Sequence, residues 1–248
     1  MFDDPVHQSQ LYLRRAGQFL RGKGLLPKDS ESPLTPYLAS TSAAPDETLD
    51  EAALERFFDT GYKQVARLAP EIEALMGGTL ESRRALDFGC GMGRTALPLA
   101  ERCEHVYGVD ASPAALRDAD RNARRMNLSN VEWIEAGRLA ELSGRYDLVL
   151  SMWVFQHIPS REGERIFAAL LRGLRPGGVG VIHVTLRFAY NPFRLVRDLD
   201  WSMSYMLMNS YSLNRLGRLL ADEGVTEWRA KWDARRTYPS ATIIFRKD

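Results

Sequence analysis

Three glycines at alternate positions, Gly89, Gly91 and Gly93, are framed by two carboxylates, Asp87 two residues ahead and Asp110 seventeen residues behind. Glycines so spaced let the backbone enter conformations barred to other residues and let a ligand lie against the main chain. A negative charge at Asp87 would repel a pyrophosphate but attract a ligand carrying a cationic amino group. Asp110 follows the next apolar run, where a carboxylate can accept both hydroxyls of a ribose in charge-assisted bonds. An acidic cap for the following helix is the other reading of Asp110, but Ser112-Pro113 already serves that purpose. The spacing is G-x-G-x-G and no Gly-Lys-[Ser/Thr] follows, which excludes a P-loop and disfavours a nicotinamide-type G-x-G-x-x-G. His157, within Trp153-Val154-Phe155-Gln156-His157-Ile158-Pro159, is a second candidate. It reads either as a general base or orienting group for a nucleophile, or as a histidine that only bonds backbone or packs. His183 falls inside an apolar run and reads as a core histidine; His7 and His105 have no apparent role.

Alternating elements must carry these groups. Ala85–Phe88 reads as a first strand, Arg94–Arg102 as a helix whose first amides face the loop, and His105–Val109 as a second strand. A helix from Ser112-Pro113 to about Met126, strands at Val131–Glu135 and Tyr146–Ser151, and a helix over Ser160–Leu174 follow. Arg175-Pro176-Gly177-Gly178 reads as a turn before a fifth strand, Val179–Leu186. Strands separated by helices of this length predict a doubly wound, mostly parallel α/β sheet with its ligand at the strands' carboxyl edge. A helix over Tyr211–Asp222 closed by Gly224 then leads to a terminal antiparallel hairpin, Val225–Trp232 and Ala241–Arg246, broken at Tyr238-Pro239-Ser240.

Before the sheet, residues 1–47 read as an N-terminal extension, with a basic amphipathic stretch from Val6 to Arg21 and a Pro- and Ser-rich linker over 27–47. Residues 48–248 then form the main domain. Its helical cover, 48–78, opens on the capping box Thr48-Leu-Asp-Glu51 and reads as two helices, broken near Gly61 and restarted at Pro70. Tyr62 in this cover reads as a lid over the ligand or as core. Residues 188–211, with Trp201, Tyr205 and Met206, read as a lid-like insertion whose aromatic and Met side chains form a pocket, internal packing or a homodimer contact.

Length suits one α/β domain with additions, and a net charge of +1 supplies no field to hold nucleic acid or an acidic membrane. The 33 basic residues include only five lysines, a bias expected from genome composition rather than phosphate recognition. Cys90 and Cys103 make no CxxC pair, so neither structural zinc nor any other metal is expected. With no long apolar run or signal-peptide core, a cytoplasmic protein is the expectation.

Four segments in order, Leu86-Asp87-Phe88-Gly89-Cys90-Gly91-Met92-Gly93, Gly108-Val109-Asp110-Ala111-Ser112, Tyr146-Asp147-Leu148-Val149-Leu150-Ser151 and Leu174-Arg175-Pro176-Gly177-Gly178, resemble the motifs of class I S-adenosylmethionine-dependent methyltransferases over about residues 80–186. The resemblance implies a Rossmann-like seven-stranded sheet and S-adenosyl-L-methionine as cofactor. It implies that Asp87, Gly89, Cys90, Gly91 and Gly93 meet the cofactor's amino-acid part and that Asp110 and Ala111 meet the ribose. The segment after strand three, Gly137 and Arg138, would flank adenine, and Ser151 the methionine end. The sequence departs from the family at Gly137, where an acid often bonds the adenine amine. Strand four ends in Ser-Met-Trp rather than Asn-Pro-Pro-Tyr, which weighs against nucleobase and glutamine amine methylation. The expectation is therefore O- or N-methylation of a small molecule. A protein or peptide acceptor and a non-catalytic binding protein stand as alternatives, and a nicotinamide dehydrogenase is least favoured.

Overall fold

A computed structural model describes residues 51–186, 209–233 and 239–248. The expectations for residues 1–47, for the cap at Thr48 and for most of the 188–211 insertion, including Trp201, Tyr205 and Met206, lie outside the described residues. So does the one for Tyr238.

The elements in chain order are α1 (Glu51–Met76), β1 (Arg84–Phe88), α2 (Ala96–Ala100), β2 (His105–Asp110), α3 (Pro113–Arg125) and β3 (Val131–Glu135). A 3-10 turn (Ala136–Leu142) leads to β4 (Tyr146–Ser151), and a shorter one (Phe155–His157) to α4 (Ser160–Gly173). The chain finishes with β5 (Leu174–Thr185), α5 (Leu213–Asp222), β6 (Glu227–Trp232) and β7 (Ser240–Arg246). The strands form a seven-stranded sheet in the order β3-β2-β1-β4-β5-β7-β6. β1, β2 and β3 pair in parallel, as do β4 and β5, whereas β7 runs antiparallel to both β5 and β6. The expected doubly wound sheet and terminal hairpin are therefore both present. Two compact units divide the chain at Leu139, with Leu75–Gly77 grouped with the second.

In the first unit the expected helical break does not occur. α1 is one helix of 26 residues with Pro70 inside it. Gly and Pro cost a helix interior about 1 and 3 kcal/mol, yet Phe57, Val65, Leu68, Ala69 and Ile72 repeat at helical spacing and are all buried. That stripe offsets the penalty. Gly61 lies on it for a different reason: a Cβ there would come within 1.8 Å of the Arg94 carbonyl oxygen. Gly61 is thus a point of close backbone approach. The helix stops at Gly77, with φ of 68°, as the Gly78 N–H bonds the Glu73 carbonyl. α3 starts as expected, with the Ser112 hydroxyl accepting from the Ala115 N–H and Pro113 in the first turn.

In the second unit the Arg175–Gly178 segment is not a separate turn. It lies within β5 as an irregularity, because Tyr146 pairs with Leu174 while Leu148 pairs with Val179. Lys247 fixes that bulge and the end of α4. Its ammonium donates to the carbonyls of Leu171, Arg172 and Leu174, and its own carbonyl accepts the Gly177 N–H. Phe155, Phe167, Tyr211 and Phe245 make a chain of edge-on and tilted ring contacts. α5 begins at Leu213 rather than Tyr211, because the Tyr211 side chain is drawn into this core.

Candidate active site

The glycine loop follows β1 in the first unit, and its shape is fixed by its neighbours. Gly89, Gly91 and Gly93 have φ of 75°, 54° and 96°, a region that only glycine enters freely. The N–H groups of Gly89 and Cys90 both donate to the Val109 carbonyl at the end of β2. The Gly91 N–H donates to Asp110 Oδ2 at 2.8 Å, while the Met92 carbonyl accepts the Asn122 amide from α3. Gly93 closes the turn by donating to Cys90 O.

The two carboxylates divide the work. Asp87 is 1% exposed, accepts the Thr95 hydroxyl at 2.7 Å, and also bonds the Ala96 N–H. The first amide of α2 is therefore taken by Asp87, and α2 itself spans only Ala96–Ala100, shorter than the sequence suggested. Burial pushes the Asp87 carboxyl up to about 6, opposed by the Thr95 hydroxyl and the Arg94 charge. Asp110 is half-buried. Its Oδ1 accepts the Ser112 N–H at 2.9 Å while Oδ2 holds Gly91, so one side chain joins the loop to α3. Burial raises its pKa and these backbone bonds oppose the rise. A carboxylate offers about four acceptor positions, so Asp110 keeps capacity for a diol.

Cys90 is buried, its thiol directed at the Gly91 carbonyl, and burial with the Asp110 and Asp87 charges raises its pKa. It serves the loop through its backbone. Ala111 lies between Asp110 and the α3 cap, with its N–H on Asp110. Gly137 and Arg138, in the 3-10 turn after β3, are exposed, and a Cβ at Gly137 would meet nothing within 4 Å. Space for an acid therefore exists there, although the sequence supplies none.

Sequence reasoning missed several supports, because each acts through contact rather than through a motif. Trp133 packs against Gly108, where a Cβ would be 2.3 Å from its ring, and reaches to Gly93. Gln64 of α1 accepts from the Arg94 guanidinium at 2.7 Å. Tyr62 donates to Glu101 rather than extending over the loop, and burial with that carboxylate raises its pKa.

The second unit holds the remaining candidates. Ser151, at the end of β4, is fully buried. Trp153 follows with φ of 68°, uncommon for a bulky residue, and its indole lies 3.7 Å from the His183 ring at 45°. Burial lowers the His157 pKa to about 4. The imidazole Nε2 is 3.1 Å from Gln156 Nε2. The Tyr211 hydroxyl pins this turn between the carbonyls of Phe155 and Ile158 at 2.9 and 2.8 Å. His183 is buried in β5, as expected. Among the described residues no His, Cys, Asp or Glu cluster suits a metal, and no helix is long and apolar enough to cross a membrane.

Known proteins share this frame. Residues 85–178 match the methyltransferase domain family. A 23S rRNA (uracil-C5)-methyltransferase of Aeromonas salmonicida is 34% identical over 150 residues, 57% of this chain and 30% of that protein. A ubiquinone biosynthesis O-methyltransferase of Acinetobacter baylyi is 35% identical over 104 residues, 41% of this chain and 43% of that protein. The chain thus spans less than half the length of either relative. The crystal structure of a magnesium protoporphyrin IX methyltransferase from Synechocystis with bound SAH superposes with a TM-score of 0.60, covering 82% of this chain and 90% of that one at 20% identity. With its glycine loop between two carboxylates and its β3-β2-β1-β4-β5-β7-β6 sheet, the chain is similar over residues 85–178 to the methyltransferase domain family.

Proposed function

We propose that the protein transfers the methyl group of S-adenosylmethionine to a small-molecule acceptor at oxygen or nitrogen. The cofactor, when bound, would supply a methyl on a positively charged sulfur, to be exchanged for a new bond to the acceptor lone pair, with a neutral thioether and the proton of a neutral acceptor as the other products. The chain's residues bind and orient. The loop Gly89–Gly93 with Asp87 suits a cationic amino-acid moiety, Asp110 with Ala111 suits a ribose, and Gly137 and Arg138 border the adenine. Ser151 belongs with the methionine end. Holding the reactants in line can contribute about 7–11 kcal/mol of barrier lowering.

The observation that carries the small-molecule reading is Trp153, half-buried and held in a left-handed conformation at the carboxyl end of β4. Bulky residues in such conformations concentrate at ligand sites, and an indole face suits a planar acceptor. The ubiquinone-pathway relative acts in the same sense, being an O-methyltransferase. The rRNA relative favours a second reading, a nucleobase acceptor, which a net charge of +1 does not support. His157, with its pKa near 4, is neutral at pH 7 and too weak a base for a phenol. Its role in this reading is to orient the acceptor.

A labelled-methyl screen over phenols, amines, peptides and rRNA fragments tests the proposal. Transfer to a small phenol or amine is expected; transfer only to peptide or RNA would overturn it. Calorimetry showing affinity for NAD and none for S-adenosylmethionine would remove the methyl-transfer reading altogether.

A further inference from the structure

Two hydroxyls at the carboxyl edge of the second unit have no hydrogen-bond partner among the described residues: Thr185 Oγ1 and Ser240 Oγ. Both residues are buried, at 5% and 0% exposure. A buried hydroxyl left unmatched costs about 1–3 kcal/mol, and native proteins leave few of them. Gln156 Oε1, in the turn after β4, is in the same state.

The backbone brings the two hydroxyls together. Thr185 is the last residue of β5, Ser240 the first of β7, and they lie directly opposite each other. The Leu186 N–H donates to the Pro239 carbonyl at 2.8 Å, which makes that neighbouring pair the hydrogen-bonded one. The Thr185 carbonyl turns the other way, to the Tyr211 N–H at 2.8 Å. Thr185 and Ser240 are therefore a non-hydrogen-bonded pair, the kind in which side chains stand closest, with Cα atoms about 4.5 Å apart. His183 and Thr242 are the next such pair on the same face, and the Trp153 indole lies on His183.

We infer that Thr185 and Ser240 are specificity-determining residues for the methyl acceptor, receiving an uncharged oxygen substituent, hydroxyl or carbonyl, of a planar aromatic molecule whose ring lies beside Trp153. The inference rests on the small-molecule reading above. Each hydroxyl can both donate and accept, which matches a neutral oxygen. A buried carboxylate or phosphate would need a cation beside it, and Lys231, opposite Thr242 on β6, is exposed.

The test compares uncharged catechols and hydroxyquinones with the same rings lacking one oxygen, as acceptors for labelled methyl and as ligands raising the melting temperature. Thr185→Val and Ser240→Ala should each leave the Kd for S-adenosylmethionine within about twofold and leave the ligand-free Tm unchanged or higher. Each should raise KM for the oxygenated ring at least about tenfold and erase its advantage over the ring lacking oxygen. Thr185→Ser should retain wild-type KM, which separates the hydroxyl from the methyl in packing. Lower Tm with unchanged KM would overturn the inference in favour of a buried water held by the pair. Small aromatic acceptors methylated equally by all variants would overturn the inference alone; no transfer to any small acceptor, with S-adenosylmethionine still bound, would overturn the underlying reading as well.

Discussion

Around the glycine loop the first unit spends its polar groups on itself, whereas at the carboxyl edge of the second some stay unspent among the described residues. Around the glycine loop, Asp87, Asp110, Asn122 and Thr95 all bond the loop or the helices that follow it. The donor cradle is thereby over-determined, as suits a ligand whose shape is constant. At the carboxyl edge of the second unit, Thr185, Ser240 and Gln156 have atoms with no partner among the described residues, and Trp153, in a rare backbone conformation, follows β4 in the same unit. A site completed only by its occupant has that appearance. The contrast teaches that ligand chemistry can be sought in two places: where backbone is held by side chains, and where side chains are held by nothing.

The contrast breaks most severely at Gly61. A Cβ 1.8 Å from the Arg94 carbonyl cannot be relieved by a side-chain rotation. Gly61→Ala should cost about 3 kcal/mol, the upper end for overpacking, and weaken S-adenosylmethionine binding; melting and calorimetry read both. Gly163→Ala is the counterpart in the second unit, placing a Cβ 2.0 Å from the Tyr211 hydroxyl. It should destabilise comparably and leave cofactor affinity unchanged. Equal loss of affinity in both variants would erase the distinction.

Asp110→Ala comes next. It removes the acceptors of the Gly91 and Ser112 N–H groups and, in the proposed binding mode, those of the ribose; charged hydrogen bonds are worth about 1.5–3 kcal/mol. Cofactor Kd should rise more than about tenfold; an unchanged value would remove Asp110 from the site.

A pH titration sharpens the electrostatic side. Asp87 has its pKa raised to about 6, so it is charged at pH 7 and neutral below pH 5. Cofactor Kd should rise as pH falls through 6, by up to about tenfold per unit, and Asp87→Asn should abolish the inflection. Protein stability carries the opposite sign. A raised carboxyl favours the fold fully below its ordinary pKa of 3.8, and the benefit is lost as pH rises through 6. His157, lowered to about 4, works against this, since the unfolded chain takes up its proton first as pH falls below 6.5.

The smallest effect is expected at Gly137, where a side chain meets open space. Gly137→Asp should leave Tm within about 0.5 kcal/mol equivalents and tighten cofactor binding by one added hydrogen bond, about 0.5–1.5 kcal/mol. Weaker binding would show that the adenine lies elsewhere.

Much of the frame was legible in the sequence because its signals are local. β3 and β4 begin and end where apolar alternation and turn residues place them, and Ser112-Pro113 starts α3 as capping chemistry requires. The misreadings share one cause. Gly61 and Pro70 look like helix breaks, and Arg175–Gly178 like a turn, until tertiary contacts outweigh local preference. In the site, the glycine loop and both acids stand out by type and spacing. Thr95, Asn122, Gln64 and Trp133 do not, because a support is defined by what it touches across the fold. Thr185 and Ser240 are ordinary strand residues in the sequence, and only register makes them a pair.

Tyr211 carries a further consequence. It forms a parallel bridge with Leu186, and its hydroxyl and the neighbouring Asn209 are fastened to the turn after β4. The chain thus leaves the sheet at Leu186 and is returned to it at Tyr211 beside the point of departure. The closure entropy of whatever runs between is met by these anchors, and it changes only slowly with length. Leu186 and Tyr211 are thus two posts whose places are set by the sheet and by the turn after β4, independently of the sequence that joins them.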